Sequence, residues 1–349
     1  MRRQSTNLDV LRAFAVLLVF VYHILCMTRT GPAGLNDALA RFGVILFFVH
    51  TSCVLMGSME SLVANSEAWI RRFYVRRIFR LYPLSIVSVL LAVALGAPMT
   101  PWDGLGHPPY TVSLLFSNLL LIQNVAAGPS IISVLWSLPV EVEMYVVLPL
   151  VFLVIRSKTW GWKMAVLWAG SAALIVAVQA EASILFPHHK VESLEFIPCF
   201  LSGAIAYRMA RPARCWPSFL WVPLLLASIA VGGYYAFFAP VFWASCLVLA
   251  LAFSRIGEMM RSPFTVACHF IAKYSYGIYL THSFALWVCF QLLGTVLKSS
   301  PLRIAGTTVI TALASVGLFH LLEDPMIRLG KRLADRIGPR QLELKTAGS

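Results

Sequence analysis

Eleven runs of mainly apolar residues follow one another along the chain, at about 8–27, 42–60, 78–96, 111–126, 135–155, 162–180, 194–208, 217–234, 238–253, 272–296 and 304–322. A bilayer core takes about 20 such residues per helix. Lipid offers backbone N–H and C=O groups no partners, so repeated apolar runs of this length can only be helices that satisfy their own backbones. The expected fold is therefore all-α, a polytopic membrane helix bundle. Composition agrees, with 12% charged residues and a mean hydropathy of +0.79. A soluble domain carries about 25% charge, and half of that cannot cover a water-facing surface. The first run has no small-residue cleavage site, so it is expected to remain as the first span rather than act as a cleaved signal.

Loop charges set the orientation. The net charge of +13 comes from short basic clusters between the apolar runs, the arrangement that positive-inside sorting produces, and this removes nucleic acid as a partner. If all eleven runs crossed, Arg156–Lys163 and Arg208–Arg214 would face outward. If 111–126 instead lies re-entrant or pairs with 127–134 as a hairpin, 20 Lys/Arg fall inside and five outside, with Arg12, Arg80 and Lys273 in or beside spans. That distribution selects about 10 transmembrane helices plus a re-entrant or capping segment, with both termini cytoplasmic. The stretch 97–134 has no Lys or Arg and includes Pro98, Pro101, Pro108 and Pro109, which marks it as an outward-facing cap. The seven cysteines are scattered without CxxC spacing and read as small buried hydrophobes. No metal site is expected; His107 and His188–His189 read as surface residues.

Ionisable residues inside membrane helices are costly and point to function. The first span holds Asp9, Arg12 and His23. At 100° per residue, Arg12 and His23 lie about 20° apart on one face and about 16 Å apart along the axis. The competing reading is an Arg12–Asp9 pair with a hydrogen-bonded core histidine. Further on, Arg71-Arg72-Phe73-Tyr74-Val75-Arg76-Arg77-Ile78-Phe79-Arg80 places Arg76 and Arg77 four and three residues before Arg80, on one helical face. Guanidinium forks suit phosphate oxygens, whereas Arg71 and Arg72 read as topology signals. Glu141 and Glu143 interrupt the run after Trp136-Ser137-Leu138-Pro139, on different faces, with Pro139 expected to loosen the backbone there. Glu141 suits proton transfer or the orienting of an imidazole such as His23; the bland alternative is a packing carboxylate. His282 reads equally as a site residue or a helix–helix hydrogen bond, and His50 and His320 read as structural.

Together these clusters resemble the acyltransferase 3 family. Leu8-Asp9-Val10-Leu11-Arg12-Ala13-Phe14-Ala15 with His23 is similar to the family's first-helix motif and its Arg-x10-His spacing. Gly43-Val44-Ile45-Leu46-Phe47-Phe48-Val49 is similar to its second motif, although Thr51-Ser52-Cys53 replaces the usual Ser-Gly-Phe. Arg76 to Pro83 resembles the R-R-x-x-R-[IL]-x-P box. Trp136-Ser137-Leu138 with Glu141 and Tyr145 resembles W-S-L-x-x-E-x-x-x-Y. Tyr276 to His282 and Glu323-Asp324-Pro325 resemble the late motifs.

The resemblance covers about 5–325. It implies a transmembrane domain over 1–325, a basic cytoplasmic tail over 326–349, and the stand-alone form without an appended SGNH hydrolase-like domain. It further implies an O-acyltransferase that moves an acyl group, in most members acetyl, from cytoplasmic acyl-CoA to a hydroxyl of a glycan or glycolipid. Such a protein is a multi-pass protein of a bacterial plasma (inner) membrane. Its partners are acyl-CoA, a lipid-linked saccharide and membrane lipids, with no permanently bound cofactor. On this reading His23 and Glu141 are catalytic, and Arg12, Arg76, Arg77 and Arg80 bind acyl-CoA. Asp9, Trp136, Ser137, Tyr145, Tyr279 and His282 contact substrate or support the site. The rival function is a transporter or flippase with an intramembrane proton relay, against which no inverted repeat is visible.

Overall fold

The computed structural model describes residues 5–31, 33–102, 106, 109–126, 128–185, 192–210, 216–235 and 239–337. His107 and His188–His189 lie outside them. The architecture is helical throughout: α1 (Thr6–Thr28), α2 (Ala33–Val63), α3 (Trp69–Leu95), α4 (Val112–Leu119), α5 (Ser137–Arg156), α6 (Trp160–Leu185), α7 (Glu192–Glu195), α8 (Ile197–Met209), α9 (Trp221–Tyr234), α10 (Ala239–Arg255), α11 (Pro263–Trp287), α12 (Ser300–Leu318) and α13 (Asp324–Asp335). Among the described residues, β geometry is limited to one isolated bridge between Trp216 and Ile256.

Among the described residues, six helical stretches are long and apolar enough to cross a membrane: Thr6–Thr28, Ala38–Val63, Trp69–Leu95, Ser133–Arg156, Trp160–Val178 and Ser300–Asp335. Ser218–Gly232 and Ala239–Arg255 are apolar but shorter. α11 has the length, but its run Lys273-Tyr274-Ser275-Tyr276 and the later Thr281-His282-Ser283 lower its hydropathy. The protein is thus an integral membrane protein with several apolar spans. The count of ten remains an expectation from loop charge.

The run at 111–126 yields only the eight residues of α4, about 12 Å of helix, which is too short to cross a core of about 30 Å. Thr111 caps it by accepting from the Leu114 amide at 3.1 Å, which satisfies one orphan donor. Asn118 then ends it sideways. Its amide group donates to Leu114 O and Pro129 O, and its Oδ1 accepts from the Ile131 amide at 2.8 Å. One buried asparagine thereby ties α4 to the strand-like return that leads into the 3₁₀ turn Ser133–Trp136.

The described residues cluster into two compact units. One comprises the residues up to Leu25, Thr30–Met56 and Val146–Lys273; the other comprises Cys26–Arg29, Gly57–Tyr145 and the residues from Tyr274 onward. In the first unit α8 is central, with Pro198 to Ala206 all buried, and it packs against α6 and α10. Trp168 of α6 donates its indole N–H to Pro198 O and Ser202 Oγ. Gly203 is where α8 meets α2, since a Cβ there would lie 2.3 Å from Val49 O. Close backbone approach of this kind is how membrane helices gain van der Waals contact without a hydrophobic drive. Cys199 and Cys246, both free and buried, sit 3.4 Å apart between α8 and α10. α2 starts nine residues before the apolar run suggests, so Arg41 lies inside a helix, paired with Glu195 at 2.6 Å.

In the second unit α12 continues through a π-helical turn, Phe319–Glu323, into α13. The whole stretch Ser300–Asp335 has 36 residues, about 54 Å, so its end overruns the hydrocarbon core. Residues 326–335, the start of the basic segment, belong to α13 and lie along α3. Gly330 makes that approach possible, because a Cβ there would fall 2.4 Å from the Phe79 Cβ.

Candidate active site

The arginine box occupies the first half of α3. This helix buries Phe73, Leu81, Leu84, Ser85, Ser88, Val89 and Ala92, a stripe at three- and four-residue steps that fixes which way the arginines between them point. Arg71 is exposed, whereas Arg72 is buried and its Nε donates to Ile337 O at 2.8 Å. Arg72 is thus a helix-to-helix tie rather than only a topology signal. Arg76 Nη2 pairs with Asp335 Oδ1 at 2.9 Å. Arg80 Nη1 pairs with Glu323 Oε1 at 2.5 Å, and its guanidinium lies 5.9 Å over the Tyr276 ring. Arg77 interacts with the Tyr145 phenol. The Nε atoms of Arg76 and Arg77 are buried with no acceptor among the described residues.

α5 begins at Ser137, so Pro139 sits in its first turn, where proline's missing N–H costs nothing. The expected loosening of the backbone around Glu141 therefore does not occur; the helix simply starts there. Glu141 is 5% exposed, and the Tyr145 hydroxyl, one turn later, donates a hydrogen bond to its Oε1. Tyr145 is held in turn by the Phe73 ring, edge-on at 6.1 Å, and by Tyr74, whose hydroxyl donates to Tyr145 O. Glu143 is partly exposed.

α11 contributes three polar residues to the same unit. The Tyr276 hydroxyl donates to Leu81 O at 2.6 Å. Tyr279 donates to Val134 O at 2.8 Å. Its single proton is thereby used, so Ser137 Oγ is the donor in their 2.7 Å contact. His282 has Nδ1 3.0 Å from Ile278 O. A carbonyl can only accept, so Nδ1 carries the proton. This bond is intrahelical, within α11. Trp136, half-buried, ends the 3₁₀ turn ahead of Ser137.

The second unit thus brings together Arg76, Arg77, Arg80, Trp136, Ser137, Glu141, Tyr145, Tyr279 and His282. Asp9, Arg12 and His23 belong to the first unit, all on α1. There His23 is buried at 7% exposure, on the stripe that also buries Val16 and Val19. Arg12 is half-buried, with its guanidinium 5.6 Å over the Phe47 ring of α2. Asp9 accepts from His269 Nδ1 at 2.8 Å. His269 was not singled out in the sequence, because the apolar run places the start of that helix nine residues too late. The N-terminal end of α1 is fixed by Ser5 and Asn7, which bond Glu258, Gly257 and the Met259 amide. His320 accepts or donates with Tyr274 at 3.2 Å, the tautomer being open.

Sequence reasoning also gave no role to Glu323, although it stands in a quoted motif, or to Asp335 and Tyr276. No periodicity links a carboxylate to an arginine more than 240 positions away. The metal-binding side chains do not gather: among the described residues there is no group of three or more His, Cys, Asp or Glu fit to hold an ion.

The structure is thus an apolar helical bundle that carries a guanidinium box and a buried Glu–Tyr pair. Comparison with known proteins gives the class its name. The profile of the acyltransferase domain matches residues 5–320, and the chain belongs to the acyltransferase 3 family. It is 27% identical to the acyltransferase MdmB of Streptomyces mycarofaciens, over 93% of this chain and 92% of that one. No solved structure matches it significantly. Acyl transfer in general is thereby established as its chemistry.

Proposed function

We propose that the protein takes an acyl group, acetyl in the first instance, from cytoplasmic acyl-CoA and transfers it to a hydroxyl of a glycan or glycolipid at or across a bacterial plasma membrane. The observation that carries this is the arginine face of α3, with three guanidinium groups within two helical turns and two buried Nε donors without an acceptor among the described residues. Charged donors of this kind are costly to bury unless an anion meets them, and planar forks fit phosphate oxygens. The phosphates of CoA are such anions. Arg12 serves the same donor from α1.

In the reaction the thioester C–S bond breaks, a C–O bond to the acceptor forms, and the acceptor's proton ends on the CoA thiol. His23 supplies the reactive imidazole. It removes the hydroxyl proton for direct attack, or carries the acyl group as a covalent intermediate. Glu141 serves proton transfer. Asp9, Trp136, Ser137, Tyr145, Tyr279 and His282 support or contact substrate. Residues 1–325 carry the reaction, the basic segment from 326 faces the cytoplasm, and ten crossings place both termini there.

Mass spectrometry of surface glycans and membrane lipids from cells with and without this gene tests the reading. The expected result is an acetyl-sized mass increase on one hydroxylated species only when the gene is present. Identical glycan and lipid masses in both strains would remove the acceptor assignment.

A further inference from the structure

The C-terminal helix runs antiparallel along the arginine-bearing half of α3 and meets it at four successive levels. Ile337 O accepts from Arg72, Asp335 pairs with Arg76, Gly330 seats against Phe79, and Glu323 pairs with Arg80. As the residue number falls on one helix it rises on the other, so the contacts form one continuous seam. Everything on the C-terminal side of that seam lies beyond residue 320, where the match to the family's acyltransferase domain ends. The two ion pairs differ. Asp335 is about one-third exposed, at 35%, and its pair with Arg76 is open to water. Glu323 is 1% exposed and its carboxylate faces Arg80 at 2.5 Å.

A carboxylate buried that deeply is tolerated only if its counter-ion stays put. Arg80 is therefore held from two sides, by Glu323 on Nη1 and by the Tyr276 ring beneath its plane. A guanidinium carries five N–H donors in a fixed planar fork, and Glu323 meets that fork at Nη1. An arginine fixed in advance loses less freedom when it binds, and preorganisation of this kind raises affinity.

We propose that Glu323 is a positioning residue for the acyl-CoA donor. It fixes the Arg80 fork for a phosphate of CoA, and α13, anchored at Gly330, holds Glu323 in register. The proposal rests on the acyl-CoA reading of the α3 arginines. It concerns the phosphate-bearing end of the donor, not the pantetheine arm that carries the acyl group.

The test is calorimetric titration of the full-length, detergent-purified protein with CoA and, in parallel, with pantetheine, which has no phosphates. Wild-type protein is expected to prefer CoA strongly. Glu323→Gln is expected to bind CoA about tenfold more weakly, the equivalent of one charge-assisted hydrogen bond, with pantetheine binding unchanged. If the variant cannot be purified folded, Glu323→Asp keeps the charge on a shorter arm and is expected to lose the same preference in smaller measure. A variant that weakens CoA and pantetheine alike, or neither, overturns the proposal, because a residue that only stabilises the fold does not act through phosphate. Wild-type protein that shows no preference for CoA overturns the acyl-CoA reading itself, and the proposal falls with it.

Discussion

His23→Ala is expected to lower acyl transfer by about 10³-fold or more, the scale of removing a nucleophile or essential base, while the protein still inserts and keeps its helical content. The argument starts from α1. The helix buries Asn7, Val10, Leu11, Ala13, Ala15, Val16, Val19 and His23, and every other member of that stripe is apolar or small except Asn7, whose amide is spent on Gly257 O and the Met259 N–H. His23 is thus an ionisable side chain placed where packing alone calls for a hydrocarbon. Its loss removes an imidazole and leaves a small cavity in a span of 23 residues, whose other buried side chains are unchanged. Purified variant protein is assayed for acyl transfer and by circular dichroism on the same sample. Near-normal turnover would end the catalytic assignment, and a lost helical signal would show that the side chain is needed for folding instead.

The second large effect is expected at Glu141. Glu141→Gln is close to isosteric, and its amide oxygen can still accept from the Tyr145 hydroxyl, so the α5 geometry survives while the charge goes. A group that moves protons in the reaction contributes about 10²–10⁴-fold. The variant is therefore expected to lose about 10²-fold in kcat with little change in the KM for acyl-CoA. Steady-state kinetics on the purified pair of proteins decides it. A buried carboxylate that served only packing would give the opposite pattern, with turnover near normal and a lower unfolding temperature.

Much of this architecture is legible in the sequence because the bilayer imposes a length on each helix and a charge on each loop. The shared face of Arg12 and His23 follows from helix periodicity alone. Loop charge makes 111–126 an expected re-entrant or capping segment, and in the structure α4 there has only eight residues, bounded by Thr111 and Asn118. Hydropathy cannot place the end of a helix that continues beyond the hydrocarbon. For that reason the apolar runs begin nine residues after the starts of α2 and α11, and leave Arg41 and His269 outside them. Pairings between distant segments are equally silent. Nothing local in Arg80 announces Glu323, and only the folded chain sets α13 against α3. Pro139 shows the converse: its effect depends on where the helix starts, and one residue type reads as a break or as a first turn according to that boundary.

The most direct test of the central claim follows the thiol. Membranes or purified protein are supplied with acetyl-CoA carrying a labelled acetyl group and with total glycolipid extract as acceptor, and free CoA thiol and label in the glycolipid fraction are measured together. The account predicts equal, time-dependent amounts of both, absent in His23→Ala. Label that appears in no acceptor while acetyl-CoA stays intact, with glycolipid merely redistributed across the membrane, would contradict it.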